Sequence, residues 1–297
     1  MLAAYNPRDP KLMTTKSITL SNTEINLGRF VALVLVLTLL FESIATWVRV
    51  LRARQSQQSW PSWCEEPRAV WSSFVELLVV GLALMLLSLH LAPLFDKLAS
   101  EDLAPPPAAP SLTAWKLAAH LLTSGGLTAV LLTMLVSGEA PARFGFKLQS
   151  LAEQVRDGVT GYMLALAPTA TLMILTASVR NPENQNSLLT LLASSQDIPT
   201  VVLICLAAVV IAPLYEELLF RVILQGWLST NFRPMVAIPT TAILFAAIHG
   251  VIDGVALIPL ALILGYVFHR RHSYVSVIVI HGLFNATMLT LAILTRK

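Results

Sequence analysis

The feature that most constrains this chain is a succession of eight apolar stretches, most of them close to the length that crosses a membrane. A hydrocarbon core about 30 Å thick is spanned by about 20 mostly apolar helical residues. Within that core the backbone has no water to bond, which favours helices. The sequence therefore predicts an all-α, polytopic membrane bundle of about eight transmembrane helices. The stretches are 28–51, 70–95, 114–136, 159–179, 198–227, 235–251, 255–269 and 274–294.

Composition supports the same class. Hydrophobic residues make up 56% of the chain and charged residues only 12%, against roughly 25% charged residues in soluble domains. The net charge of +3 is small and spread through the connectors, with no basic stripe among aromatic residues. We therefore expect membrane lipids as partners and no nucleic acid.

The connectors divide the chain into three predicted parts. Residues 1–27 are polar and predict a loosely ordered N-terminal tail. Pro105-Pro106-Pro107 and Pro110 interrupt any helix and predict an extended bridge. The expected parts are this tail, a two-helix membrane part with the proline-rich connector in residues 28–113, and a membrane domain in residues 114–297.

Two further segments carry weaker patterns. In residues 143–156 apolar side chains recur at helical spacing between charged ones, which predicts an interfacial helix. Residues 181–199 form a polar segment with an apolar centre, interpreted as a loop that dips into the headgroup region. Lys and Arg are most frequent in the links after the first, third, fifth and seventh stretches, which predicts that these links face the cytoplasm. The expected location is multi-pass in a membrane, the plasma membrane if the host is bacterial.

Ionisable groups inside a bilayer are costly, so those within apolar stretches are candidates for function. Three clusters contain them: Pro-Leu-Tyr-Glu-Glu-Leu-Leu-Phe-Arg at 213–221, Phe-Ala-Ala-Ile-His at 245–249 and His-Gly-Leu-Phe-Asn at 281–285. Glu217 and Arg221 are four residues apart, which favours pairing on one helical face. Glu216 points about 100° away from that pair.

The second and third clusters show the same helical spacing. His281 and Asn285 lie four residues apart on one face, and His249 lies one turn from Phe245. One carboxylate, two imidazoles and one amide are therefore expected to converge between helices and to line one cavity.

Glu-Glu-x-x-x-Arg, Phe-x-x-x-His and His-x-x-x-Asn, in this order on successive apolar stretches, resemble the CAAX prenyl endopeptidase and bacteriocin-processing (CPBP) family. This family is also called the abortive-infection family and includes the Ras-converting enzyme. The resemblance extends over residues 143–294, including Phe144-Gly145-Phe146. It implies an intramembrane endopeptidase that hydrolyses a peptide bond near the membrane surface, in a prenylated CAAX segment or another peptide.

The resemblance also implies roles for the matching residues. Glu216 would be the general base that activates a water molecule held by His249, and His281 and Asn285 would stabilise the oxyanion. Glu217, Arg221 and Phe245 would support them. A carboxylate in a partly dry cavity is a suitable base, and donors aimed at an oxyanion lower the barrier by a few kcal/mol.

Alternatives remain at this point. Glu216, His249 and His281 are enough ligands for a catalytic zinc, although Asn285 is a poor zinc ligand and a good oxyanion donor. Our prediction is hydrolysis without a metal or other cofactor. The same polar residues could instead join helices in a non-catalytic scaffold or immunity protein. A transporter is disfavoured because Pro213 has no counterpart in a second repeat.

The depth of His249 raises a difficulty. If its helix begins at Met235, His249 lies about 21 Å along it at 1.5 Å per residue, deeper than Glu216. We therefore expect that helix to begin late, near Ile238, or to tilt.

Overall fold

The fold is known from a computed structural model that describes residues 22–56, 61, 63, 114–137, 141–147, 150–179, 187–195 and 197–295. All regular structure in these residues is helical. The α-helices, renumbered here along the chain, are α1 (Asn22–Gln55), α2 (Ala114–Val136), α3 (Leu151–Leu175), α4 (Ser187–Ser194), α5 (Ile198–Asn231), α6 (Pro234–Ala247), α7 (Val251–Arg271) and α8 (Tyr274–Leu294).

Six of these helices are long and apolar enough to cross a membrane, namely α1, α2, α3, α5, α7 and α8. The predicted polytopic, all-α membrane bundle is thus confirmed, and the count of eight spans was approximate. The stretch 70–95 and the proline-rich connector lie outside the described residues. The division into three parts stays a prediction.

The bundle is built around α3, which packs against α1, α7 and α8. Two glycines of α3 permit this close approach. A Cβ atom at Gly158 would lie 2.6 Å from the Val279 Cβ, and one at Gly161 would lie 2.5 Å from the Ile280 Cδ1. Small residues at such interfaces let membrane helices pack by van der Waals contact.

Side chains of α1 bond backbone groups of α3 near Pro168, which lies inside this continuous helix. Pro168 lacks the N–H that would bond the Leu164 carbonyl, and the Trp47 indole N–H donates to that carbonyl at 2.9 Å instead. The Ser43 hydroxyl accepts from the Ala167 N–H at 3.0 Å and donates to the Met163 carbonyl at 2.5 Å. Side chains of α1 thus satisfy the backbone groups that Pro168 disturbs.

Helix α6 differs from its prediction. It begins at Pro234 and ends at Ala247, so its 14 residues span about 21 Å, less than the hydrocarbon core. The late start near Ile238 was therefore wrong, and the other expectation, a tilt of this helix, stays a prediction. The short helix ends within the bundle, where Gly250 takes a positive φ of 87° and the chain turns into α7.

Two other predictions need correction. Residues 143–156 do not form one interfacial helix, because the 3₁₀ turn Pro141–Phe144 is followed by Gly145 with a φ of 88°, and α3 begins only at Leu151. The segment 181–199 was interpreted as a loop, but its apolar centre is α4. Leu192 of α4 is buried against α2 and α5 residues such as Leu117 and Ile204.

Candidate active site

Helix α5 carries the first motif and changes its winding twice. The segments Ala207–Ile211 and Leu218–Gln225 are π-helical, while the residues between them, including Glu216 and Glu217, are α-helical. π-Helical turns are wide and are common at functional sites. The two glutamates therefore lie between two irregular turns in the middle of a 34-residue membrane helix.

The first irregular turn has a cause in the sequence. The Ala212 N–H bonds the Ala207 carbonyl, and Pro213 has no N–H to offer. The Ala208 carbonyl therefore receives neither the N–H of residue 212, its α-helical donor, nor an N–H from residue 213, its π-helical donor. The side-chain amide of Asn285 donates to this carbonyl at 2.8 Å. One N–H of Asn285 thus holds α8 against α5, and its second N–H is not used in that bond.

The second motif places His249 just beyond the end of α6. Its Nδ1 lies 2.8 Å from the Phe245 carbonyl, one of the last carbonyls of a helix, which need donors from outside the helix. A proton on Nδ1 would satisfy this carbonyl and leave Nε2 as an acceptor. The Nε2 atom lies 3.8 Å from the Glu216 Oε2.

The depth of His249 follows from a helical hairpin. Helices α5 and α6 join at Phe232 and Arg233. Glu216 lies 17 residues before Arg233, and His249 lies 16 residues after it. Residues at nearly equal distances from the turn of a hairpin reach the same level, so the difficulty raised by the sequence disappears without a late start of α6.

The third motif brings a second imidazole to Glu216. The His281 Nε2 lies 3.9 Å from the Glu216 Oε2, and its Nδ1 lies 2.7 Å from the Glu217 Oε1. The other oxygen of Glu217 accepts from the Arg221 Nε at 3.1 Å. Arg221, Glu217 and His281 therefore form one continuous hydrogen-bonded chain across α5 and α8.

The contact between Glu217 and His281 was missed by the sequence reasoning, which paired Glu217 with Arg221 alone. Both Glu217 and Arg221 are fully buried, with 0% exposure. A shared carboxylate fixes the orientation of the imidazole, since Nδ1–H donates to it and Nε2 is directed elsewhere. Nothing in the spacing of the motifs predicts this bond, because its partners are 64 residues apart.

Phe245 is the aromatic centre of the cluster. Its ring centroid lies 4.8 Å from that of His249 and 5.6 Å from that of His281. On another side, the guanidinium carbon of Arg221 lies 5.2 Å from the same ring centroid, a cation–π distance. The phenylalanine of the second motif thus contacts all three motifs at once.

The structure brings together Glu216, His249 and His281, with Glu217, Arg221 and Phe245 around them. Asn285 lies one turn after His281 on α8, and its described bond goes to the α5 backbone. That these residues line one cavity stays a prediction. Among the described residues, the Glu216 Oε2 is buried and has no hydrogen-bond partner. An orphaned carboxylate oxygen facing two imidazole nitrogens is an arrangement suited to proton transfer.

The zinc alternative depends on which atoms of the candidate ligands are already engaged. Within the described ranges, no group of three or more His, Cys, Asp or Glu side chains is arranged to hold a metal ion. The His281 Nδ1 is bonded to Glu217, an arrangement that metal-bound histidines also use, and this bond does not engage its Nε2. Independence from a metal therefore stays a prediction.

Fold and site together define an integral membrane protein with a buried glutamate–histidine cluster. The family comparison is more specific. Residues 198–287 match the family model described as "Rce1-like: Type II CAAX prenyl endopeptidase Rce1-like". The matched stretch begins with α5 and contains all three motifs, so the predicted family resemblance is confirmed over these residues, and its predicted extension to residues 143–197 stays a prediction. No curated protein and no solved structure matches the chain.

Proposed function

We propose that this protein is an intramembrane endopeptidase in which Glu216 activates water to hydrolyse a peptide bond near the membrane surface. The family match supports a CAAX-type intramembrane protease at the level of the family. The observation that carries the mechanism is the Glu216 Oε2, which has no hydrogen-bond partner among the described residues and faces two imidazole Nε2 atoms at 3.8 and 3.9 Å.

These two separations exceed a direct hydrogen bond, and in the proposed mechanism the side chains move apart slightly to admit a water molecule between Glu216 and His249. His249 with its proton on Nδ1 accepts one hydrogen of that water at Nε2, and Glu216 accepts the other. The water oxygen then keeps a lone pair for attack on the scissile carbonyl carbon. As the C–O bond forms, Glu216 takes the proton, and it later gives this proton to the amine nitrogen when the C–N bond breaks.

The oxyanion of the tetrahedral intermediate needs hydrogen-bond donors. His281 donates from Nε2 only as an imidazolium, because its Nδ1–H is used by Glu217. With both glutamates ionised and Arg221 charged, one imidazolium brings the net charge of the four groups to zero. The N–H of Asn285 that is not bound to Ala208 supplies the second donor.

The direct test is cleavage by the purified, full-length protein. We expect hydrolysis within a panel of lipidated and unlipidated C-terminal peptides, followed by mass spectrometry of both products. The panel also identifies the substrate class, which we propose is a prenylated CAAX segment or another membrane-associated peptide. Glu216→Ala is the control. Equal product formation by Glu216→Ala would show that the cleavage does not depend on Glu216, whereas no cleavage of any peptide would favour a non-catalytic scaffold instead.

Activity is expected to survive metal removal. The reason is the proposed chemistry, in which Glu216 activates the water and Asn285, a poor zinc ligand, serves as an oxyanion donor. The measurement compares the initial rate before and after dialysis against a strong chelator, with the metal content determined in parallel. Loss of the rate, with recovery on addition of stoichiometric zinc, would show that the same residues form a zinc site.

A further inference from the structure

Tyr274 reaches the catalytic helix from the start of α8. Its side chain is buried, and its hydroxyl donates to the backbone carbonyl of Leu214, two residues before Glu216. At this point α5 passes from α- to π-helical winding, and the Leu218 N–H is shared between the carbonyls of Leu214 and Tyr215. The Tyr274 hydroxyl therefore donates to the Leu214 carbonyl, whose helical hydrogen bond from the Leu218 N–H is bifurcated with Tyr215.

The other contacts of Tyr274 hold it in place independently of α5. Its backbone N–H donates to the Gly145 carbonyl at 3.0 Å, and its ring packs edge-on against Phe146 with centroids 5.2 Å apart. Gly145 has a φ of 88°, and a Cβ atom there would lie 3.2 Å from both the His272 carbonyl oxygen and the Phe268 ring. The segment before α3 thus fits closely around the start of α8 and fixes the tyrosine.

Tyr274 and His281 lie on the same stripe of α8, because seven residues make about two helical turns. His281 binds Glu217, and Tyr274 binds Leu214. Helix α8 therefore holds α5 by the backbone on one side of Glu216 and by a side chain on the other. These two bonds flank Glu216 closely, whereas the bond from Asn285 to the Ala208 carbonyl holds α5 further toward its N-terminus.

We propose that Tyr274 is a positioning residue, whose bond to Leu214 sets the orientation of Glu216 relative to the two imidazoles. This inference rests on the proposed function. It goes further than the three motifs, which do not include this position. Because proton transfer and attack depend on the placement of the base, the bond contributes to kcat and not to substrate binding.

The test is Tyr274→Phe, which removes the hydroxyl and keeps the ring against Phe146. We expect kcat to fall by about tenfold and KM to stay within about twofold of the wild-type value. Amide hydrogen exchange in residues 215–218 is expected to become faster, since this segment loses the bond from the Tyr274 hydroxyl to the Leu214 carbonyl.

A matched control is Tyr162→Phe. The Tyr162 and Thr287 hydroxyls share a hydrogen bond of 2.6 Å, which joins α3 to α8 without involving α5. Both variants should show similar, small decreases in Tm. Only Tyr274→Phe should lower kcat and speed the exchange of residues 215–218.

Several results would overturn the proposal. Wild-type kcat in Tyr274→Phe, or an equal loss of kcat in both variants, would show that the hydroxyl does not position Glu216. Failure of Tyr274→Phe to fold while Tyr162→Phe folds would show that the hydroxyl is required for the fold itself, which contradicts a role in positioning alone. If the wild-type protein cleaves no peptide, the proposed function fails. The exchange measurement still decides in that case whether Tyr274 holds α5.

Discussion

Glu216→Gln is expected to lower the rate of peptide cleavage by about a thousandfold or more, because glutamine cannot accept the proton of the attacking water. Folding should be preserved. The Glu216 Oε2 makes no hydrogen bond among the described residues, and the Nε2 atoms of His249 and His281 lie 3.8 and 3.9 Å away. Glutamine keeps a side-chain oxygen that can still accept from the Tyr215 hydroxyl, the hydrogen-bond partner of the Glu216 side chain. The measurement is kcat/KM on the best peptide of the panel, with Tm measured in the same detergent.

Glu42→Gln is the matched control for this variant. Glu42 lies on α1, within another membrane helix and outside the three motifs. Its substitution should leave the rate unchanged. A rate for Glu216→Gln above about one tenth of the wild-type value would contradict the role of Glu216 as general base, since removal of a true base costs 10²-fold or more.

Glu217→Gln is expected to damage both stability and activity. The ionised carboxylate accepts from Arg221 with one oxygen and from His281 with the other. Glutamine has a single oxygen and so can accept from only one of them, which leaves Arg221 or His281 facing an N–H₂ group. Breaking a fully buried pair costs about 3 kcal/mol or more, so Tm should fall clearly. Cleavage should fall by about a hundredfold, because His281 loses the charge that supports its imidazolium form.

Asp157→Asn is a control that separates a loss of stability from a loss of cleavage activity. Asp157 accepts from the Arg271 Nε at 2.7 Å and from the Trp63 indole at 3.0 Å, so it is also a carboxylate shared by two donors. It lies outside the three motifs. Its substitution should lower Tm and leave cleavage per folded molecule near the wild-type value. If Glu217→Gln behaves in the same way, Glu217 supports the fold alone and the link to His281 has no role in catalysis.

A second comparison tests the link itself. In a double-mutant cycle, His281→Ala combined with Glu217→Gln should lose little more activity than His281→Ala alone, because both substitutions interrupt the same hydrogen-bonded chain. Additive losses would show that the two residues act separately.

The fold class could be predicted from the sequence because apolar length and helical spacing are local properties. Helices α2 and α8 have the predicted bounds, and Glu217 pairs with Arg221 at the predicted four-residue spacing. The meeting of Glu216 with His249 and His281 agrees with the converging faces expected of the motifs. Local patterns thus indicated which side chains point inward.

The remaining features depend on contacts between distant segments. The bond from Glu217 to His281 spans 64 residues, and the bond from Asn285 to Ala208 spans 77. The end of α6 at Ala247 follows from the turn at Gly250, which the continuous apolar pattern of 235–251 conceals. Pro213 was a visible signal that a carbonyl of α5 would lack its donor, but the sequence does not show that Asn285 would supply one.

The hydrogen bonds from α1 side chains to the α3 backbone near Pro168 have a consequence for biogenesis. In lipid, the carbonyl left without a donor by Pro168 costs free energy until the Trp47 indole reaches it. Chains are synthesised from the N-terminus, so α1 is already in the membrane when α3 arrives. The order of synthesis thus allows side chains of α1 to reach these backbone groups as soon as α3 enters the membrane. Moved to the C-terminus by circular permutation, α1 would arrive last, and the unaccompanied α3 would be exposed to lipid and to membrane quality-control proteases.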